Sequence, residues 1–500
     1  MPLFLGLDSG TQSTKCVVVD SDTGEILAHA SAKYDLIDGL PPGHLEQHPA
    51  EWIQAVENTV QACCATLGDR KKEIRGIGVS GQQHGFVPLD KDGHVVRPAK
   101  LWCDTSTAEE CERLAAAFGG PEGLICEAGN AIPPGFTAPK ILWLKRHEPE
   151  NFAKTTTILL PHDYLNFYLT GVKRMEFGDA SGTGLLNVRT REWHRGLIDA
   201  IDPRVAEMLP PVGSSLEKHG FLREELRQRW GLGEGVIVSA GGGDNMMAAI
   251  GTGNVRSGVV TASLGTSGTL FATADAPIVD PKGEVAAFCS STDQWLPLVC
   301  TMNVTVLTEQ VRKLFSWDHA QLEAAVANIE PGANGLLFLP YLNGERTPNL
   351  PNGRGVLHGL RMDNMTPAHL ARAAVEGVTI GLGYGLKRFA ELGVTPTEIR
   401  LTGGGSQSAV WRQICADVFG VPVVCLKSAE GAALGAAIQA AAVSGREEGG
   451  IASLVELADC LAILDESTRC KPDPSLISLY EELTTCFLRF SRDLHSTRWL

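Results

Sequence analysis

Five hundred residues, 44% hydrophobic and 20% charged, make an ordinary globular chain with room for about two to four domains, which excludes disorder. A net charge of −15, from 43 basic and 58 acidic residues with no basic stripe, excludes a nucleic-acid or anionic-membrane surface. Thirteen cysteines without a CxxC pair are expected as reduced thiols rather than a disulfide frame or zinc site. The first residues read directly as a strand, and no run approaches a membrane span. A cytoplasmic location is therefore expected.

The chain opens on FLGLDSGTQSTKCVVVD, Phe4–Asp20: an apolar run, a Gly/Ser/Thr turn, then a second apolar run. This predicts a hairpin whose turn leaves backbone N–H groups and hydroxyls facing an anion. Glu25–Ser31 follows as a strand, and Pro49–Leu67 carries apolar residues at helical spacing behind an initial proline. Ile74–Ser80 is a short buried strand running into GQQHG. Ala138–His147 reads as a helix, and Thr157–Leu160 leads into a helix closed by Gly171. Val236–Ala240 is a strand running into GGGDN, and Asn245–Gly251 a helical segment. The hinge between halves is expected near Gly251–Ser257.

The second half repeats the opening pattern. VVTASLGTSGTLFATAD, Val259–Asp275, is again a hairpin with a glycine-threonine turn. A helix is expected over Asn303–Phe315, a strand over Gly335–Pro340 and a long amphipathic helix over Pro367–Leu392. The strand Glu398–Thr402 ends at a glycine cluster, LTGGGSQS, and Ser408–Phe419 is the helix after it. Val421–Cys425 is the last strand, and Ala432–Ala442 an Ala-rich helix able to pack very closely. Ser444–Gly450 reads as a linker before helical segments that run to Leu500. The expected division is residues 1–253 for sugar, phosphate and the catalytic base, 254–445 for nucleotide, and 446–500 as a helical extension.

One Gly/Ser/Thr turn is unremarkable; two, with a third glycine cluster, are better explained as phosphate loops from two lobes gripping one nucleotide. Asp8, in the first turn, either shapes the turn or holds hydrated Mg²⁺ beside the phosphates. Thr11, Gln12, Ser13 and Lys15 would donate to phosphate oxygens, with a solvated strand position as the alternative for Lys15. Asp244 follows a buried strand and three glycines. It can cap the next helix while its carboxylate faces a ligand as the base for an attacking hydroxyl. Gln83 and His84 stand at a strand end where amide and imidazole can meet sugar hydroxyls. Trp102 and Asp104, in LWCD, offer an aromatic face and a carboxylate. For His84, Trp102 and Asp104 an ordinary structural role remains the alternative.

These motifs resemble the FGGY family of carbohydrate kinases along almost the whole chain. Gly135–His147 is similar to its first signature and Gly355–Glu376 to its second. GQQHG, GGGDN and FLPYLNGERTP are closest to the branch that phosphorylates D-xylulose. The resemblance implies an α/β fold of two ribonuclease-H-like (actin-like ATPase) domains flanking a central cleft, with the two hairpins as equivalent elements of a duplication. It implies ATP and Mg²⁺, with D-xylulose phosphorylated at its terminal hydroxyl. Another pentulose or polyol is the near alternative, and a nucleotide-driven ATPase switch the distant one. By resemblance Asp244 is the proton acceptor, with Asn245 beside it on the substrate, and Asp8 lies near the metal. Gln83 and His84 contact the ketose, Gly265 and Thr266 the phosphates, and Gly404, Gly405 and Ser408 the adenosine side. Gln83 replaces the usual methionine, Cys103 the usual asparagine, and Ser408 an asparagine of some relatives. A homodimer is among the assemblies the sequence allows.

Overall fold

The computed structural model describes residues 2–447, 449 and 453–497. It forms two compact units: Met1–Val255 with Thr273–Leu296 and Glu430–Ile463, and Arg256–Ala272 with Pro297–Ala429 and Leu464–Leu500. The chain thus returns to the first unit after most of the second is built.

The first unit is organised by a sheet of β1 (Leu3–Ser9), β2 (Ser13–Asp20), β3 (Ile26–Lys33), β4 (Ile74–Gly81), β5 (Lys218–Phe221) and β6 (Ile237–Ser239). Its order is β5-β6-β4-β1-β2-β3, with β1, β4 and β6 mutually parallel in sequence of pairing and the outer pairs antiparallel. The second unit repeats the plan with β7 (Val259–Leu264), β8 (Gly268–Ala272), β9 (Trp295–Thr301), β10 (Glu398–Thr402), β11 (Val423–Leu426) and β12 (Leu464–Cys470). Its order is β9-β8-β7-β10-β11-β12, with the same alternation of parallel and antiparallel neighbours. Five strands match one for one along the chain. The sixth, at the edge, comes before its neighbour in the first unit and after it in the second.

Both faces of β1 are covered, so it reads as a continuous apolar run rather than an alternating one. Leu3, Leu5 and Leu7 pack with Trp52, Val56 and Val60 of α1 (Pro49–Leu67), whose initial proline occupies the first turn. Phe4 and Gly6 face the opposite way. There the Ala-rich α8 (Gly431–Glu447) lies on the sheet with α5 (Asp244–Gly251) beside it. A Cβ at Gly6 would stand 1.9 Å from the Ala433 carbonyl oxygen, and one at Gly78 2.0 Å from that of Ala436. Gly251 and Gly435 meet the carbonyls of Gly431 and Met247, each at 1.8 Å for the same hypothetical atom.

Between these, α2 (Thr137–His147), α3 (Pro161–Thr170) and the single turn α4 (Phe177–Ala180) build the walls of the site described below. In the second unit α6 (Pro367–Glu391) is the central helix, capped by Thr366, whose hydroxyl accepts from the His369 N–H. Helix α7 (Ala409–Phe419) follows the glycine cluster. The C-terminal α9 (Ile477–Ser496) docks through Tyr480, which bonds Glu376 at 2.9 Å and Arg372 at 3.0 Å.

The expected linker and tail differ from this. Residues 444–447 continue α8, while most of the rest of Ser444–Gly450 lies outside the described residues. The tail is not wholly helical: Leu464–Cys470 joins the second sheet as β12, because its polar, half-exposed sequence suits an edge strand and gave no helical or apolar period. The thirteen cysteines are free thiols, and no described helix is long and apolar enough to cross a membrane.

The close approach of α5 and α8 predicts that Gly251→Ala destabilises the protein by about 2 kcal/mol or more, because the obstruction is backbone and cannot rotate away. Gly445→Ala, on α8 with nothing within 4 Å, should be neutral or slightly stabilising. Thermal unfolding of the two variants checks the contrast, and equal Tm values would refute it.

Candidate active site

The site of the first unit lies at the carboxyl ends of its parallel strands. In the parallel ladder Asp8 of β1 stands opposite Ser80 of β4, and Gly242 opposite the same Ser80 on the other side. Register therefore brings Asp8 and the residue just past Gly243, Asp244, to one end of the sheet. Ser80 donates to Asp8 Oδ1 at 2.8 Å. Burial raises the Asp8 carboxyl, with Ser80 and Lys15 opposing the rise.

Asp244 opens α5. Its Oδ1 accepts the Asn245 backbone N–H at 2.9 Å and the Asn245 side-chain amide at 3.2 Å. Its Oδ2 has no hydrogen bond among the described residues. The side chain is half-buried by surface, yet desolvation, then the charges of Asp8 and Asp179, push its carboxyl up to about 7. A carboxylate so raised is a competent base near neutral pH.

The GQQHG loop enters from β4. His84 has φ 63°, an unusual left-handed conformation for a residue with a side chain. It is held there from three directions. Its ring stacks on Phe136 at 4.5 Å, Nδ1 donates to the Gly182 carbonyl at 2.7 Å, and its own carbonyl accepts from Lys140 Nζ at 2.7 Å and Thr137 Oγ1 at 3.1 Å. Lys140 is fully buried on α2, and burial lowers its ammonium to about 7. Gln83 is also buried and accepts from Asn245 Nδ2 at 2.8 Å.

The first hairpin turn is closed by the Gly10 N–H bonding the Ser13 carbonyl at 3.0 Å. Gln12 is exposed at its tip, and Ser13 and Lys15 are half-buried. Lys15 pairs with Glu430 at 2.8 Å, a half-exposed pair worth about 1 kcal/mol or less, so exchange of Glu430 for a phosphate costs little. The Thr11 hydroxyl is already engaged: it donates to Gln82 Oε1 at 3.2 Å and accepts from Trp102 Nε1 at 2.9 Å. Trp102 itself is half-buried, its ring nitrogen tied to that turn.

Asp104 corrects an expectation. It is fully buried, and its oxygens accept from the Leu45 N–H, Lys100 Nζ, and the Ser106 N–H and hydroxyl. Burial would raise its carboxyl, but these donors outweigh it and hold the group below its ordinary value. A carboxylate so saturated organises the loop and has no capacity left for a sugar.

In the second unit the equivalent turn is Gly265–Thr266–Ser267, with Thr266 exposed and the Gly265 and Thr266 carbonyls accepting from the start of the following helix. A Cβ at Gly404 would meet nothing within 4 Å, so that glycine borders open space. Gly405 instead packs against Leu264 and Trp411. Ser408 caps α7: its hydroxyl accepts the Trp411 N–H at 3.2 Å and donates to Glu323 at 3.1 Å. Its place before the helix signals this role.

Several site residues gave no signal in the sequence. Ser80 is found only through register with Asp8. Lys140 lies inside an apolar helix, and a buried ammonium cannot be told from a surface one by sequence. His162, on α3, is fully buried with Nδ1 2.9 Å from Asp179 and Nε2 3.0 Å from Asp163. Burial alone would lower its pKa, but the two carboxylates drive it well above the ordinary histidine value. Gln439 of α8 is the exception, a lone polar residue in an alanine run. Its Oε1 accepts from Ser239 Oγ and the Gly241 N–H, both at 2.8 Å, and its amide donates to Ser215 and Gly241 carbonyls at 2.9 and 3.0 Å.

Comparison with known proteins gives this arrangement its context. The N-terminal domain profile of the FGGY family of carbohydrate kinases matches residues 3–251, and its C-terminal domain profile residues 260–444. A xylulose kinase of Haemophilus influenzae is 41% identical over 499 residues, covering 99% of this chain and all of that protein. One from Bacillus subtilis is 36% identical, covering 97% of both chains. The crystal structure of a xyloylose kinase from Brucella ovis superposes with a TM-score of 0.92 at 32% identity, covering 99% of this chain and all of that one. With profile matches over both halves and relatives matched along their full length, the chain belongs to the FGGY family of carbohydrate kinases.

Proposed function

We propose that this sugar kinase transfers the terminal phosphate of ATP to the 5-hydroxyl of D-xylulose, giving D-xylulose 5-phosphate, with Asp244 as the base. The observation that carries the assignment of the base is the geometry of Asp244: Oδ1 held by two donors from Asn245, Oδ2 uncommitted, and a carboxyl raised to about 7. The sugar follows from the relatives, which are named xylulose kinases and match this chain from end to end.

Asp244 Oδ2 accepts the proton as the sugar hydroxyl attacks, and the two Asn245 donors keep Oδ1 out of the reaction. His84, fixed by Phe136, Gly182 and Lys140, and Asn245 provide the polar groups for the ketose, with the Trp102 ring beside the first turn. The exposed turns, Gln12–Ser13 in the first unit and Gly265–Thr266 in the second, offer donors to phosphate oxygens, and the open space at Gly404 suits the adenosine side.

Asp8 fits Mg²⁺. It is a single hard carboxylate oriented by Ser80, and the groups of three metal-ligating residues among those described lie elsewhere, at His44–Glu46–Asp104 and Asp90–Asp92–His94. Mg²⁺ keeps most of its waters and takes one or two carboxylates with substrate phosphates. Bound there, it would neutralise charge on the phosphates, and Lys15 would add a second positive charge from the adjacent strand.

An ADP-release assay across pentuloses, hexuloses and polyols tests the substrate. D-xylulose should exceed the others by about tenfold or more in kcat/KM. ADP release indifferent to any sugar would overturn the kinase reading.

Asp244→Asn should lower turnover by about 10² or more, since asparagine keeps the shape but accepts no proton. It should also stabilise the protein at pH 8. The folded-state pKa is raised above the unfolded value, so the group's contribution is favourable below about 4 and is lost as pH rises through 7. Asparagine removes that loss, so Tm should rise at pH 8 and stay nearly level at pH 4. A variant with wild-type Tm at both pH values, or with a tenth of wild-type turnover, would contradict the assignment.

The same group sets the acid limb of the rate. For the free enzyme kcat/KM for the sugar should be level above pH 8 and fall tenfold per unit as pH drops below about 7, as the base becomes protonated. A flat profile between pH 5.5 and 8 would exclude a base with this carboxyl.

A further inference from the structure

Gln83 was expected on the sugar, yet its amide is engaged inside the protein. Its Oε1 accepts from Asn245 Nδ2, and that same Nδ2, with the Asn245 backbone N–H, holds Asp244 Oδ1. On its other side lies Asp179. A Cβ built on Gly243 would stand 2.6 Å from Gln83 Cγ and 3.1 Å from Asp179 Oδ1, so both converge on the glycine just before the base. Gln83 Nε2 and Asp179 Oδ1 are both shielded from water and neither has a hydrogen-bond partner among the described residues, and the Gln83 amide favours the ionised Asp179 against the rise that burial imposes. Asp179 Oδ2 is anchored by His162, itself paired with Asp163.

The chemistry of the groups gives this row a direction. An ionised carboxylate only accepts, so Gln83 must turn its NH₂ toward Asp179 and its oxygen toward Asn245. A flipped amide would set oxygen against oxygen in a dry site, where mismatched polar groups are most costly. With Gln83 so oriented, Asn245 must present its NH₂ to both Gln83 Oε1 and Asp244 Oδ1. This orientation gives each polar atom its complementary neighbour, and the base is left with Oδ2 as its reactive oxygen.

We propose that Gln83 is a positioning residue for the catalytic base, carrying the fixed orientation of the buried His162–Asp179 pair through Asn245 to Asp244. The proposal rests on the assignment of Asp244 as the base. It predicts that Gln83 governs the rate of the chemical step and not the affinity for sugar.

The test uses the full-length enzyme with Gln83→Met, similar in length but without either hydrogen-bonding group, Asp179→Asn, and the double variant. Initial rates at saturating ATP give kcat and KM for the ketose that the wild type phosphorylates best, and Tm verifies folding. Gln83→Met should lower kcat by about tenfold or more while changing the sugar KM by less than about threefold, since loss of alignment affects the reaction more than binding. The double variant should be no slower than the slower single one, because both substitutions break one chain. Gln83→Leu carries the same comparison if the methionine variant does not fold. A raised sugar KM at unchanged kcat would make Gln83 a direct sugar contact and overturn the proposal. Losses that multiply in the double variant, or a wild-type kcat in Gln83→Met, would also overturn it. If the wild-type enzyme phosphorylates no sugar, the assignment of the base falls and this proposal with it. An active wild type with any of the former outcomes overturns the proposal alone.

Discussion

Helix α8 meets β1, β4 and α5 with no side chain between the backbones, and the geometry of the site in the first unit depends on that approach. Glycines at 6, 78, 251 and 435 are required because any Cβ there would lie within 2 Å of a backbone carbonyl oxygen. The approach does more than fill space. It brings Gln439 within reach of the Gly241 backbone, whose N–H and carbonyl it bonds simultaneously, and so fixes the turn that delivers Asp244. It also brings Glu430 to Lys15. A segment from late in the chain thereby braces a loop built much earlier. The C-terminal family profile extends to residue 444 and includes this helix, although its packing places it in the first unit.

The electrostatics of the site follow from burying several carboxylates together. Asp8, Asp179 and Asp244 each have a raised carboxyl, with desolvation as the largest cause in all three. Only Asp179 has a buried cation beside it, His162. Asp8 is relieved by the Ser80 hydroxyl and the charge of half-exposed Lys15, and Asp244 by the Asn245 donors on one oxygen. This separates the roles: the carboxylate paired to a histidine is a fixed structural charge, and those held on one side remain open to a metal or a proton. The chain's net negative charge is of secondary importance here, because the local donors and desolvation act at hydrogen-bond distance.

Much of this was legible in the sequence, and the rest was hidden for identifiable reasons. The hairpins, α1, β4, β10 and α6 follow from apolar period and from proline and glycine at their ends, which are local signals. Asp8 and Asp244 were singled out because companion glycine loops stood beside them, since a carboxylate in a turn or at a helix start has common structural uses. Register places both at one end of the sheet. Asp104 misled because its type and context suited a sugar; only its partners Lys100, Ser106 and Leu45, brought together by folding, show it to be saturated. The partner of Gln83 was equally hidden, since an amide beside a histidine gives no sign of which side its oxygen faces. His162 and Asp179 were passed over because a pairing across two helices leaves no spacing pattern. The edge strand β12 was missed since it lies in a polar tail and shows neither an apolar nor an alternating period.

The duplicated sheets show where the two units diverged. In the first hairpin the last paired residues before the turn are Ser9 and Thr14, with Asp8 opposite Lys15 one step back. In the second they are Leu264 and Gly268, with Ser263 opposite Thr269 one step back. By register, then, the carboxylate and the lysine of the first unit correspond to two hydroxyls in the second. The turns kept the feature that depends on backbone geometry, a short glycine-containing loop with outward donors. The charged pair exists only in the unit that also carries Asp244. The third glycine cluster follows the same division: β10 corresponds to β4 in the sheet, but it ends in a glycine cluster whose middle member, Gly404, borders open space, whereas β4 ends in a loop filled by Gln82, Gln83 and His84. Equivalent strand ends thus carry polar side chains in one unit and open space in the other. Under the proposed transfer this is the arrangement that one sheet plan put to two uses would give: small residues leave a place to bind, and only the copy next to the reacting hydroxyl needs groups that titrate.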